Sequence, residues 1–190
     1  IPGVTAALAA AAYAGIPVTH RDSASAVAFI TGQEDAAKTD SALDFPALAA
    51  FPGTLVFYMG VTTVGHWSRA LIQAGKPPRT PVAIVRRVST PSQSRIDTTL
   101  DQVADIVAKQ HLRPPIVFIV GEVAAHGATW SWFEKRPLFG RPVLVPRPPD
   151  LADAAVEITE TGSTIRAISG ATPAAMALRY AATASAVAWK

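Results

Sequence analysis

No cysteine occurs anywhere in the 190 residues. Disulfides, thiolate metal sites, iron–sulfur clusters and cysteine nucleophiles are thereby excluded together. The four histidines, His20, His66, His111 and His126, lie far apart. They form no i, i+4 pair and have no carboxylates at metal-ligand spacing, so no bound metal is expected. Long apolar runs are also missing. None approaches the ~20 residues a membrane-spanning helix needs, and the Ala-rich start lacks the basic flank and Leu-rich middle of a signal peptide. A soluble, cytoplasmic protein with no membrane partner is expected. Charged residues make up only 16% of the chain, with a net charge of +3 and a pI near 9.5. The basic residues are diffuse outside Arg86-Arg87 and the Lys135, Arg136, Arg141 and Arg147 region, and aromatics do not interleave with them. Nucleic acid is therefore not the expected partner, whereas a small polyanion fits.

What the chain does contain is apolar: 49% hydrophobic residues and a mean hydropathy of +0.26, enough for a sizeable core. TAALAAAAYAG, from Thr5, predicts a short helix with Thr5 as N-cap and Gly15 as its stop. Alanines leave a helix backbone open to close approach, either by another helix or by a ligand at its N-terminus. SAVAFITG (25–32) predicts a strand, and a short helix follows around Phe45 to Ala50. TLVFYMG (54–60) is a continuous apolar run of strand length ending in glycine, as a strand covered on both faces requires. TTVGHWSRALIQAG (62–75) has helical spacing of Val64, Trp67, Leu71 and Ala74 and again ends on glycine. PVAIVRRV (81–88), the extended SRIDTTL, the helical LDQVADIVAKQH and the buried strand around Ile116 to Val120 continue the alternation. Such alternation predicts an α/β layer structure with a parallel or mixed sheet.

After WSWFEKRPLFG the composition turns proline-rich and basic. RPVLVPRPPD (141–150) reads as a connector about one short strand at Val143 to Val145, and the domain boundary falls near Arg136. AAVEITETGSTIRAI has the pattern of a hairpin about Thr161-Gly162, and TPAAMALRYAATASAVAW that of a helix capped by Thr172.

IPGVTAALAAAAYAGIPVTHRD, with TGQEDAAKTDSALDFPALA, LVFYMG, LIQAGKPPRTPVAIV and IVFIVGEVA following in order, closely resembles the uroporphyrinogen-III C-methyltransferases of the tetrapyrrole methylase family. WSWFEKRP resembles the family's exit segment. The resemblance spans residues 1–137 and implies the family's second, C-terminal subdomain: a mixed sheet flanked by helices. The first-half motifs, a Gly- and Pro-rich loop and a GGDP-type turn, do not occur in these residues, so the chain reads as a fragment that is inactive alone. PLFGRPVLVPRP is similar to the linker and first strand of a fused uroporphyrinogen-III synthase. Residues 138–190 are accordingly expected to hold that linker and a truncated or divergent synthase start, a poorly defined tail.

The resemblance implies methyl transfer from S-adenosyl-L-methionine to pyrrole carbons of uroporphyrinogen III, giving precorrin-2 for siroheme or cobalamin, with a homodimer in the full-length protein. An electron-rich pyrrole needs alignment and dryness more than activation, so no catalytic residue is expected. Donor contacts carried over by position are Thr5, Ala6, Met59 and, through its backbone, Val88. The residues alone leave alternatives open: Thr5 as a simple cap, and Met59 as ordinary core. Val88 stands in RRVST where the family has a glycine or alanine, and a branched side chain resists positive φ. His20 and Arg21 of the THRD turn are implied substrate contacts, since a guanidinium fork suits carboxylates. Asp22 has the alternative of pairing with Arg21 and shaping the turn. Arg86, Arg87 and Arg95 are further candidates for substrate carboxylates, with solvated surface charge as the simpler account. Two rival readings stand beside this one: a non-catalytic binding or dimerisation module, and a methylase of another precorrin.

Overall fold

Continuous apolar runs make the middle of the sheet, and a polar one makes one of its two edges. The computed structural model describes residues 3–34 and 42–141, together with residues 143–144 and 165–166. Its five-stranded sheet holds β1 (Val27–Thr31), β2 (Thr54–Tyr58), β3 (Pro81–Arg86), β4 (Ser94–Thr99) and β5 (Ile116–Val120), in the order β1-β2-β5-β3-β4. β1 is parallel to β2, and the three other ladders are antiparallel, so the sheet is mixed. Every residue of the central β5 is buried. The edge strand β4, sequence SRIDTT, has none that is.

Alternation along the strands divides the core between two faces. Leu55, Phe57, Val82, Ile84, Phe118 and Val120 pack against α3 (Val64–Gln73) and α4 (Val103–Lys109), which contribute Trp67, Leu71, Val103 and Val107. Val56, Ala83, Val85, Val117 and Ile119 take the other side and meet α1 (Ala6–Tyr13) through Ala7, Ala10 and Ala11, with Ala14 just beyond it. The alanine helix thus lies close on the sheet itself rather than on another helix. The short α2 (Phe45–Ala50) is capped by Asp44, whose carboxylate accepts the Ala47 amide at 3.0 Å.

Three helices end by the same device. After α1, α3 and α4 a left-handed residue, Gly15 (φ 67), Gly75 (φ 105) or His111 (φ 49), is followed by one whose amide reaches back to the last turn. The bonds are Ile16 to Ala11, Lys76 to Leu71 and Leu112 to Val107, at 2.8, 2.9 and 3.0 Å, the Schellman pattern. At Gly15 a side chain would also collide with the Trp130 carbonyl.

The motif after α3 turns Lys76 inward, where it is buried and its Nζ donates to the Ala49 carbonyl at 3.4 Å. Burial pulls this ammonium below its ordinary value. The unfolded chain therefore holds more protons as the pH climbs toward ~10.4, and stability rises with pH through that window. Lys76→Met is expected to add about 1 kcal/mol at neutral pH and to flatten that rise. Urea denaturation at neutral pH and again near the top of the window reads both; a variant less stable than the parent at neutral pH would contradict it.

Beyond the main sheet, β6 (Val143–Leu144) pairs in parallel with β7 (Ile165–Arg166). β6 supplies the first two residues of the expected strand at 143–145. The Thr161-Gly162 turn, the other arm of the expected hairpin and the expected C-terminal helix lie outside the described residues.

Candidate functional site

The C-terminal ends of β2 and β3 open onto a cleft of about 560 Å³. β5 runs antiparallel to both, so its starting end, with Pro114 and Pro115, closes the same side. In α/β sheets, ligands bind outside the carboxyl ends of strands. Ala6, Met59 and Val88, expected from the sequence, all line this cleft. Each arrives from a different element: the first turn of α1, the residue after β2, and the turn after β3.

Thr5 stands beside the cleft at the start of α1. It has the extended backbone of an N-cap, yet its hydroxyl makes no capping bond. It pairs instead with the Tyr58 hydroxyl, which also accepts the Ala7 amide at 2.8 Å. A side chain at the end of β2 thus satisfies an amide that the helix start leaves open and fixes the Thr5-Ala6 pair relative to Met59. Thr5 is thus the N-cap of α1 by position, as expected, while its hydroxyl serves Tyr58 in place of the helix amides.

Met59 is 59% exposed and left-handed (φ 50), so it is not core. The turn carrying it is held from below: the Trp67 indole N–H donates to the Gly60 carbonyl at 3.0 Å. A Cβ on Gly32 would come within 2.8 Å of Gly60 Cα, so the ends of β1 and β2 approach this closely only without a side chain there.

Val88 sits between two left-handed residues, Arg87 (φ 50) and Ser89 (φ 64), and does not itself adopt positive φ. The conformation that a branched residue resists falls on its neighbours. Gln93 secures the turn. It is buried, its carbonyl accepts the Ser89 amide at 2.8 Å, and its NH₂ donates to Glu134 at 2.5 Å and to the Tyr13 carbonyl at 3.3 Å. Neither Gln93 nor Tyr58 carries any pattern in the sequence that marks such a role.

His20 and Arg21 do not line the cleft. His20 closes a tight turn by a bridge to Ala24, and its ring lies 4.8 Å from that of His126, which stacks on Trp130 at 5.3 Å. Asp22 approaches His20, with its carboxylate 3.9 Å from Nδ1. Arg21 is exposed. Of the other candidate arginines, Arg95 is committed to Asp97 and to the Ala14 and Ala124 carbonyls, and Arg86 Nε donates to the Arg113 carbonyl at 3.0 Å. Arg87 lines the cleft, and among the described residues every other lining residue is uncharged. Among the described residues, no three His, Asp or Glu side chains are placed to hold a metal ion, and no helix is long and apolar enough to cross a membrane.

The sequence profile of the Tetrapyrrole (Corrin/Porphyrin) Methylases matches residues 1–104, more than half of the chain. The chain belongs to the tetrapyrrole methylase family. The S-adenosyl-L-methionine-dependent uroporphyrinogen III methyltransferase of Methanosarcina barkeri is 45% identical over 123 residues, 65% of this chain and 48% of that protein. A siroheme synthase of Zymomonas mobilis is 45% identical over 136 residues, 72% of this chain and 28% of that protein. A crystal structure of the uroporphyrin-III C-methyl transferase from Thermus thermophilus complexed with S-adenosyl homocysteine matches at a TM-score of 0.54 and 36% identity, covering 65% of this chain and 50% of that one. This tetrapyrrole methylase chain therefore spans about half, or less, of the length of the relatives it matches.

Proposed function

We propose that this tetrapyrrole methylase chain serves S-adenosyl-L-methionine-dependent C-methylation of uroporphyrinogen III to precorrin-2, on the way to siroheme or cobalamin, in the cytoplasm. The observation that carries the reading is the meeting of Ala6, Met59 and Val88, far apart in sequence, at one apolar cleft beyond the strand ends. Relatives named for this reaction support it. The donor supplies an electrophilic methyl on a sulfonium. A soft thioether such as Met59 packs beside such a group without demanding hydrogen bonds. Thr5, Ala6 and the Val88 backbone complete this wall of the donor site, and the apolar lining excludes water from the transfer. His20 and Arg21 act on the macrocycle from their separate turn. Residues 1–137 form the methylase part and residues 138–190 the linker and start of a synthase-like unit. In the full-length protein the methylase is a homodimer.

Because the chain spans about half of its relatives, we read its cleft as one wall of a site that the rest of the parent enzyme closes. The test is a calorimetric titration with S-adenosylhomocysteine, of the chain alone and mixed with the segment of the Methanosarcina barkeri relative that it does not match. Binding is expected to be at least about ten-fold tighter in the mixture, and Met59→Ala to weaken it by about ten-fold. Equal affinity with and without the added segment would contradict the shared cleft. No binding in either would contradict the donor reading.

A further inference from the structure

Among the described residues the apolar cleft has one charged lining residue, and it stands in a backbone conformation that its type avoids. Arg87 has a φ of 50, a region that costs a non-glycine residue free energy and persists only where surrounding bonds over-determine it. Those bonds are present. The Arg87 amide donates to the Pro115 carbonyl at 3.2 Å. Its carbonyl accepts the Thr90 hydroxyl at 2.7 Å and the Thr90 amide at 3.2 Å. Two residues on, Gln93 holds Ser89. The turn is thus locked in the shape that places Arg87, an exposed residue, on the lining of the cleft.

The guanidinium itself is only lightly engaged. Among the described residues it makes one hydrogen bond, Nη1 to Ser92 Oγ at 3.4 Å, out of five N–H donors. Arg86 and Arg95, its neighbours in type, are fastened to backbone carbonyls. A planar guanidinium carried on the rim of a largely apolar cleft is matched best by a carboxylate, which it holds bidentately.

We infer that Arg87 is the carboxylate-binding residue of this cleft, an assignment that rests on the donor reading given above. The chemistry has two sources, the amino-acid carboxylate of the methyl donor and a carboxylate on the rim of the tetrapyrrole. Arg87→Asn separates function from folding, because Asn adopts left-handed φ more readily than Arg. The Tm of this variant is expected to stay level or rise by about 2–4 °C, while binding falls.

Three probes are titrated into the full chain, with and without the complementary segment: S-adenosylhomocysteine, 5′-methylthioadenosine, which lacks the amino-acid part, and uroporphyrin III. Arg87→Asn is expected to weaken at least one carboxylate-bearing probe by about ten-fold and to leave 5′-methylthioadenosine unchanged. Loss confined to S-adenosylhomocysteine assigns the donor carboxylate; loss confined to uroporphyrin assigns the macrocycle. Unchanged affinity for all three, or an equal loss on S-adenosylhomocysteine and 5′-methylthioadenosine, overturns the assignment. If the parent chain binds none of the probes, the donor reading fails first and this one with it.

Discussion

Trp67→Ala is expected to lower the free energy of unfolding by about 4 kcal/mol and to weaken donor binding as well. Trp67 is 1% exposed. Its ring stacks on Phe57 with centroids 4.4 Å apart and meets Phe118 edge-on at 5.4 Å, so truncation opens a large cavity between α3 and the sheet. The same ring supplies the N–H that holds the Gly60 carbonyl, one residue from Met59. Trp67→Phe separates the two effects. It keeps most of the ring packing and removes the N–H, leaving the Gly60 carbonyl without its donor, at a cost of about 1–2 kcal/mol. Urea denaturation reads the stability of both variants and the S-adenosylhomocysteine titration reads the cleft. If Trp67→Phe binds the donor as the parent does, the indole bond does not position Met59. If Trp67→Ala loses less than about 1 kcal/mol, the core relaxes in a way the packing does not suggest.

Much of this fold was legible because its elements carry local signals. TLVFY and IVFIV are runs too apolar for anything but covered strands, and both lie in the interior of the sheet. Gly15 and Gly75 mark helix ends because only a left-handed residue completes the motif there. His111 does the same without the glycine signature, so its role was not legible. Nor was the strand order: β5, last of the five in sequence, inserts between β2 and β3, a choice made by the pairing of whole faces and not by any one segment. At the site, Thr5, Ala6, Met59 and Val88 came from resemblance, and the first of these, the N-cap of α1 as expected, turns its hydroxyl to Tyr58 and not to the helix amides. The supporting side chains were hidden because their partners are remote. Gln93 reaches Tyr13 and Arg95 reaches Ala14, some eighty residues back, and no periodicity records a polar contact of that span. Arg95 read as solvated surface charge, with substrate carboxylates as a further candidate role, because sequence gives its charge and not its burial.

That burial sets the second large effect. Arg95→Leu is expected to cost about 3 kcal/mol. The guanidinium is 9% exposed and pairs with Asp97 at 2.7 Å, while its other donors reach the Ala14 carbonyl at 3.1 Å and the Ala124 carbonyl at 3.3 Å. Ala14 and Ala124 are themselves buried, at 0% and 2% exposure, so water does not replace the lost donors and both acceptors bear the full cost of desolvation. Asp97, by contrast, is 54% exposed and is solvated once its partner is gone. The loss therefore belongs to the two carbonyls and not to the ion pair, which yields a comparison between variants. Asp97→Asn is expected to cost under about 1 kcal/mol, and Arg95→Lys to recover little of the Arg95→Leu loss, because a single ammonium does not reproduce a fork that spans two carbonyls. Denaturant unfolding of the three variants decides it. Equal losses for Asp97→Asn and Arg95→Leu would place the energy in the ion pair instead. Since Ala14 ends the helix that begins at the Thr5-Ala6 pair, Arg95→Leu is also expected to loosen α1 against the sheet, read as faster hydrogen exchange at the Ala10 and Ala11 amides.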